Sequence, residues 1–173
     1  TDHTVMLGIL GAAIANRLYK DLDLGLIAQF TLVHDLVEVH AGDTDTLTGV
    51  SEDSMKKKEE REHVALKKLE ETFGQDLSWI HETIEKYESL DTKEARFVKV
   101  LDKVMPKLTV VLNGGASLHK RSIQRAEVEK TFDLQRTRLQ ELAYDMPELM
   151  ALREHFVTKE VGLIKNQMKR IAI

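Results

Sequence analysis

The chain has 173 residues, with 25 Lys and Arg against 29 Asp and Glu, so its formal net charge is −4. The absence of cysteine excludes disulfides, thiolate metal ligands and cysteine nucleophiles. Without a basic block, we expect neither a nucleic acid polymer nor an anionic membrane surface as a partner. With only two prolines and nine glycines, the composition favours long helices, and we predict a single all-α domain.

An uncharged segment from Thr4 to Ala15 predicts the first helix, from about Asp2 to Tyr19. The segment is as long as the core of a signal peptide, but Asp2 and His3 stand where a basic leader would be. It is also shorter than the roughly 20 residues that a helix needs to cross a bilayer. We therefore expect a soluble, cytoplasmic protein. Spacings of three and four residues predict the core-facing row of this helix: His3, Met6, Leu7, Leu10, Ile14 and Leu18.

A second helix, predicted from about Leu22 to His40, carries ionisable residues in an otherwise apolar row. His34 and Glu38 are four residues apart and would share one helix face, while Asp35 would be rotated from His34 by about 100°. Burying such groups without a partner costs several kcal/mol each. A divalent cation beside this helix would explain them, since it could bind His34 and Asp35 together, with Glu38 free to orient or deprotonate a water molecule.

Later segments are also predicted to be helical. A loop begins at Gly42-Asp43, and Gly74 is expected to stop the helix that follows it. Asp91 and Glu94 read as an acidic capping box that opens another helix. Trp79 is expected in the core. The predicted helices after the loop span residues 51–73, about 77–87, about 91–113, 122–144 and 147–171.

Asp102 is a further acid in an apolar row, on the helix that begins near Asp91. Together with His3 it would complete a set of two imidazoles and two carboxylates around the cation. Such a nitrogen and oxygen set suits Mn, Fe, Co, Ni, Zn or Mg. The other histidines show no comparable arrangement, so we expect one metal ion.

The run from Val33 to Asp43, Val-His-Asp-Leu-Val-Glu-Val-His-Ala-Gly-Asp, resembles the signature of HD-domain metal-dependent phosphohydrolases. The form of this run is most similar to the HD-domain 5′-deoxyribonucleotidase branch. The resemblance extends upstream to Asp2-His3-Thr4, in the place of the family's first histidine. Downstream it reaches the segment 97–103, whose Asp102 stands in the place of the family's last aspartate.

The resemblance implies a helical bundle of the HD-domain type that forms one domain over residues 1–173, and a homodimer. It implies a metal-dependent hydrolase that removes the 5′-phosphate from (deoxy)ribonucleoside monophosphates. Two alternatives stay open: a nucleoside triphosphate hydrolase of the same family, and a non-catalytic helical sensor that binds a metal or nucleotide. The site residues implied are metal ligands His3, His34, Asp35 and Asp102, and catalytic carboxylates Glu38 and Asp43.

Overall fold

The computed structural model describes residues 2–42, 52–116 and 125–171. Within these ranges the regular structure is entirely helical, which confirms the predicted all-α class. None of the helices described is both long enough and apolar enough to cross a membrane. The helices are α1 (Asp2–Leu18), α2 (Leu24–Val33), α3 (Glu38–Ala41), α4 (Glu52–Phe73), a 3₁₀ turn (Gln75–Leu77), α5 (Ser78–Glu88), α6 (Lys93–Leu112), α7 (Arg125–Leu142) and α8 (Pro147–Ile171).

Local signals in the sequence explain several of these boundaries. The Asp23 carboxylate accepts hydrogen bonds from the backbone N–H groups of Gly25 and Leu26, at 2.8 and 3.1 Å, and so caps the start of α2. Gly74 follows α4 with φ +59°, a left-handed conformation that favours glycine. The predicted stop at Gly74 is therefore confirmed, whereas α2 begins at Leu24, two residues after the predicted start.

The predicted second helix is interrupted, so the prediction of one continuous helix there is wrong. α2 ends just before His34 and α3 begins at Glu38. Between them, the N–H groups of Leu36 and Glu38 bond to carbonyls three residues earlier, each at 3.0 Å. Bonds of this span wind the chain more tightly than an α-helix. His34 and Asp35 lie in this tight turn. The predicted placement of His34 and Glu38 on one helix face, with Asp35 rotated by about 100°, assumes a regular α-helix and therefore does not apply here.

The predicted capping box at the start of α6 is also wrong. The residue that caps α6 is Thr92, whose Oγ1 accepts the N–H of Ala95 at 3.1 Å. Glu94 is used differently, because its Oε1 accepts the backbone N–H of Asp23 at 3.0 Å. Glu94 thus ties the first turn of α6 to the start of α2, and Asp91 lies outside the cap.

The buried face of α1 differs in part from the predicted row. Leu7, Gly11 and Ala15 are buried and repeat every four residues, which is one stripe of a helix. Met6 and Leu18, both predicted to face the core, are 36% and 47% exposed. The small residues on the buried stripe let α1 pack closely against its neighbour, α2.

The chain divides into two compact units, residues 1–98 and 99–173, which we call the first and second units. In the first unit, α1 packs on α2, α2 on α5, and α4 on both α3 and α5. Trp79 is 45% exposed, so its predicted place in the core is wrong. An apolar cluster of this unit consists of Val33, Val37, Ala65, Leu69, Ile80 and Ile84.

The second unit buries charged side chains beside an apolar cluster of Val128, Phe132, Val157 and Ile164. Lys107, Arg153 and Glu160, which we call the buried charged cluster, are at most 4% exposed. The Arg153 guanidinium donates hydrogen bonds to the Phe132 carbonyl and to Glu154. Lys107 Nζ donates to the carbonyl of Lys103 at 2.8 Å and lies 4.6 Å from the centre of the Phe132 ring. The core of this unit is therefore partly polar.

Candidate metal centre

The packing of α1 on α2 brings together two histidines that are far apart in sequence. His3 lies in the first turn of α1 and is half-buried, whereas His34 directly follows the last residue of α2 and is buried. Their ring centroids are 5.4 Å apart and their planes are inclined at 46°. The two imidazoles predicted as metal ligands are thus neighbours in the structure.

The orientation of the His34 ring is fixed from one side. Its Nδ1 lies 2.9 Å from the carbonyl oxygen of Thr31. A carbonyl can only accept, so Nδ1 carries a proton and, in the neutral ring, Nε2 presents its lone pair. The His34 side chain is 2% exposed, and Tyr87 packs edge-on to it with 6.4 Å between ring centroids. Metal-binding histidines commonly donate their other nitrogen to a backbone carbonyl in this way.

Asp35 brings a carboxylate oxygen next to the His34 ring. Its Oδ1 lies 3.1 Å from Nε2 of His34. When the ring is neutral, both atoms are acceptors, and two lone pairs at this distance repel unless a proton or a metal ion lies between them. Neighbouring ligands of an octahedral ion, each about 2.1 Å from it, are also separated by about 3 Å. The geometry therefore fits two adjacent ligands of one ion.

His3, His34 and Asp35 form one group, which we call the His-His-Asp cluster. One possible donor atom from each residue lies within 4.8 Å of those of the other two. The Asp35 side chain is 42% exposed, so the cluster is accessible to solvent on the side of its carboxylate. Two imidazoles and a carboxylate suit the divalent first-row metals and zinc. The residues present fit a divalent metal.

The predicted catalytic carboxylates are described only in part. Glu38 is half-buried, and its N–H bonds to the carbonyl of Asp35 at 3.0 Å, one tight turn along the chain. The Glu38 carbonyl accepts the N–H of Gly42 at 2.8 Å, and Gly42 adopts φ +77°. Asp43 lies outside the described residues. The catalytic assignments of both carboxylates stay predictions.

Asp102, the fourth predicted ligand, belongs to the second unit. It is 9% exposed, and its Oδ2 lies 2.7 Å from Nζ of Lys103. The sequence predicts an acid on an apolar helix row at this position, and its burial is confirmed. Its role as a metal ligand stays a prediction.

Two further histidines show how the cluster differs from its surroundings. His155 is exposed on α8, and Nε2 of His81 pairs with Oε1 of Glu85 at 3.3 Å.

The sequence analysis does not predict the role of Thr31, whose carbonyl orients His34. The available signal was the position of Thr31 three residues before His34, because a carbonyl near a helix end is open to a side-chain donor.

Comparison with known proteins identifies the class to which this fold and cluster belong. Residues 1–152 match the HD domain family, so the chain belongs to that family. This confirms the resemblance found in the sequence.

Three known proteins show more closely what this chain is similar to. Over 105 residues, 60% of this chain, it is 31% identical to the human 5′-deoxynucleotidase HDDC2 and covers 48% of that protein. The 5′-deoxynucleotidase HDDC2 of Mus musculus is 30% identical over the same length, with 49% of that protein covered. The chain thus spans about half the length of the curated relatives it matches. A crystal structure of a predicted metal-dependent phosphohydrolase from Magnetospirillum magnetotacticum MS-1 is similar with a TM-score of 0.64 at 25% identity, over 92% of this chain and 78% of that one.

Proposed function

We propose that this chain is a metal-dependent phosphohydrolase that removes the 5′-phosphate from (deoxy)ribonucleoside monophosphates. The observation that carries the proposal is the His-His-Asp cluster, found in a chain of the HD domain family. The relatives support the reaction class, because two are named 5′-deoxynucleotidases and one is described as a predicted metal-dependent phosphohydrolase. One divalent cation would be held by His3, His34, Asp35 and Asp102.

The metal, when bound, would supply Lewis acidity toward a phosphoryl oxygen and would lower the pKa of a water molecule. The protein residues set the geometry for that chemistry. The bond from Nδ1 of His34 to Thr31 holds the imidazole in one orientation, and the burial of His34 limits rotation of the ring. A ligand fixed in this way needs no reorganisation when the metal or the substrate arrives.

Glu38 and Asp43 would handle the protons of the reaction. Hydrolysis of a phosphate monoester removes a proton from the attacking water and delivers one to the departing sugar oxygen. In our proposal the two carboxylates divide these transfers between them. Glu38 begins α3 one tight turn after Asp35, so its backbone is held next to the cluster.

The charge of the chain bears on substrate binding. A formal net charge of −4 gives no general attraction for an anionic nucleotide. Attraction would therefore be local, from a cation in the His-His-Asp cluster. This accounts for a small phosphate ester as the substrate rather than a nucleic acid polymer.

The test starts from the full chain as purified. Its metal content is measured, and it is then incubated with Mn²⁺, Co²⁺ or Mg²⁺ and a panel of nucleoside and deoxynucleoside mono- and triphosphates. We expect one divalent ion per chain and release of inorganic phosphate from deoxynucleoside 5′-monophosphates. Release of pyrophosphate or triphosphate from triphosphates alone would identify a triphosphate hydrolase. Absence of hydrolysis with every metal would contradict the proposal and support a binding module.

A further inference from the structure

Gly8 lies at a close approach between α1 and α2. A Cβ atom added at this position would be 3.2 Å from Oγ1 of Thr31 and 4.0 Å from its Cβ. The shorter distance is tighter than ordinary van der Waals contact. Any side chain at position 8 would therefore require either Thr31 or one of the two helices to move by a few tenths of an ångström.

The Thr31 side chain is poorly able to move aside. Its Oγ1 donates a hydrogen bond to the carbonyl of Ala28 at 2.9 Å. The residue is 2% exposed, and β-branched side chains have few allowed rotamers in a helix. Rotation would break the bond to Ala28. A side chain at position 8 would accordingly displace α1.

This contact lies close in sequence to both imidazoles of the His-His-Asp cluster. On α1, Gly8 is little more than one helical turn after His3, and a helix transmits a displacement along its length as a rigid element. On α2, Thr31 is the residue whose carbonyl receives Nδ1 of His34. A shift of α1 against Thr31 would therefore change the position of His3 relative to His34.

We propose that Gly8 is a positioning residue of the metal centre: its lack of a side chain sets the α1–α2 spacing at which His3 and His34 bind the same ion. This inference rests on the proposed function, because it requires a metal at the cluster. Gly8 has no contact with the metal in this proposal and acts only through the helix spacing.

The test compares metal binding by apo wild type and Gly8→Ala, measured by calorimetric titration with Mn²⁺ and by the visible absorption of bound Co²⁺. We expect Gly8→Ala to bind about tenfold more weakly, at the low end of the effect seen for residues that orient metal ligands. A change in the Co²⁺ spectrum should accompany the loss, whereas circular dichroism of the apo protein should be unchanged.

A second substitution should restore binding. Removing Oγ1 with Thr31→Ala makes room for the new methyl group and leaves the Thr31 backbone carbonyl in place for His34. The double variant G8A/T31A should therefore bind metal as tightly as Thr31→Ala alone. A matched control is Gly162→Ala on α8, where an added Cβ would meet nothing within 4 Å. It should leave metal affinity unchanged.

The outcomes separate this inference from the proposed function. If wild type binds no divalent metal, the proposed function fails and this inference fails with it. If wild type binds metal but Gly8→Ala binds equally well, or if G8A/T31A stays as weak as Gly8→Ala, only the positioning role is overturned. Should Gly8→Ala not fold, the double variant decides: restored folding and metal binding support the inference, and a folded double variant with weak binding refutes it.

Discussion

In the first unit, ionisable side chains meet at a partly exposed site, and in the second unit they are packed into the core. His34 Nε2 and Asp35 Oδ1 face each other at 3.1 Å as two potential acceptors. In the buried charged cluster, Lys107 lies near both Arg153 and Glu160, and Lys107 and Arg153 donate hydrogen bonds to backbone carbonyls. The first arrangement fits an added cation, whereas the second already contains its own positive charges.

The comparison shows that burial of a charged group does not by itself indicate a ligand site. The buried charged cluster is not fully satisfied: Nε of Arg153 and Oε2 of Glu160 have no hydrogen-bond partner within the described residues. Such groups reduce stability. We therefore expect substitutions in the His-His-Asp cluster to change metal binding and catalysis, and those in the buried charged cluster to change stability.

His34→Ala should give the largest effect, because it removes a proposed ligand whose orientation is already fixed. We expect metal affinity to fall by more than about 100-fold, beyond the usual cost of losing a residue that only orients a ligand. Phosphate release should fall to background. Metal titration and phosphate assays check both effects. The control is His155→Ala, at an exposed histidine on α8. Equal losses of metal affinity and activity in His34→Ala and His155→Ala would contradict a specific role for the His-His-Asp cluster.

Glu38→Gln separates metal binding from catalysis. It should reduce turnover by about 10²- to 10⁴-fold, the usual contribution of a general acid or base. Metal affinity should stay close to wild type, because Glu38 is not assigned as a ligand. The measurements are kcat at saturating metal and a metal titration. Glu70→Gln, at an exposed residue of α4, should retain activity, and an active Glu38→Gln enzyme would exclude the proposed proton-transfer role.

Arg153→Met tests the expectation that substitutions in the buried charged cluster change stability. Removing one member of a buried charged group should lower the free energy of unfolding by about 3–5 kcal/mol, because the Phe132 carbonyl loses its donor and Glu154 loses one of its guanidinium partners. Urea unfolding measures this loss. Arg138→Met, at an exposed site on α7, should change stability little. If Arg153→Met left the free energy of unfolding unchanged, the buried charged cluster would contribute nothing to the stability of the second unit.

The pH dependence of stability should be a smaller effect of the same cluster. Burial raises the pKa of Glu160 to about 7 and lowers that of Lys107 to about 8. Glu160 binds its proton more tightly when folded, so its contribution to stability is present below its unfolded pKa and is lost as the pH rises toward 7. The Lys107 contribution is present above its unfolded pKa and is lost as the pH falls toward 8.

The measurement is unfolding free energy at pH 5 and pH 7 for wild type and Glu160→Gln. Wild type should lose about 2 kcal/mol more than Glu160→Gln over this interval, since the amide does not titrate. Glu141→Gln, at an exposed acid on α7, should follow the wild-type curve. Parallel curves for wild type and Glu160→Gln would mean that Glu160 titrates alike in the folded and unfolded chains.

The sequence predicts the all-α fold and most helix ends because apolar spacing and glycine stops act locally. It does not predict the break before Glu38, since the segment from Val33 to Glu38 contains neither glycine nor proline. The sequence does not identify Thr92 as the cap of α6, because Thr92 and Asp91 are both good capping residues. Glu94, which would complete a capping box with Asp91, instead accepts the backbone N–H of Asp23, 71 residues away in sequence.

The candidate site was more predictable than the polar core of the second unit. His34 and Asp35 stand out as polar residues on an apolar helix. The same criterion applied to α8 would have selected Arg153 and Glu160, which share a row with Val157 at spacings of four and three. Pattern alone cannot separate the two cases, because it does not show whether the neighbours of a charged group carry opposite charge.

The most direct test of the central claim is the X-ray absorption spectrum of bound cobalt, recorded on the full chain loaded with one equivalent of Co²⁺. Binding by the His-His-Asp cluster predicts two imidazole ligands per ion in wild type and one in His3→Ala. A shell made only of oxygen ligands, or an imidazole signal unchanged in His3→Ala, would contradict it.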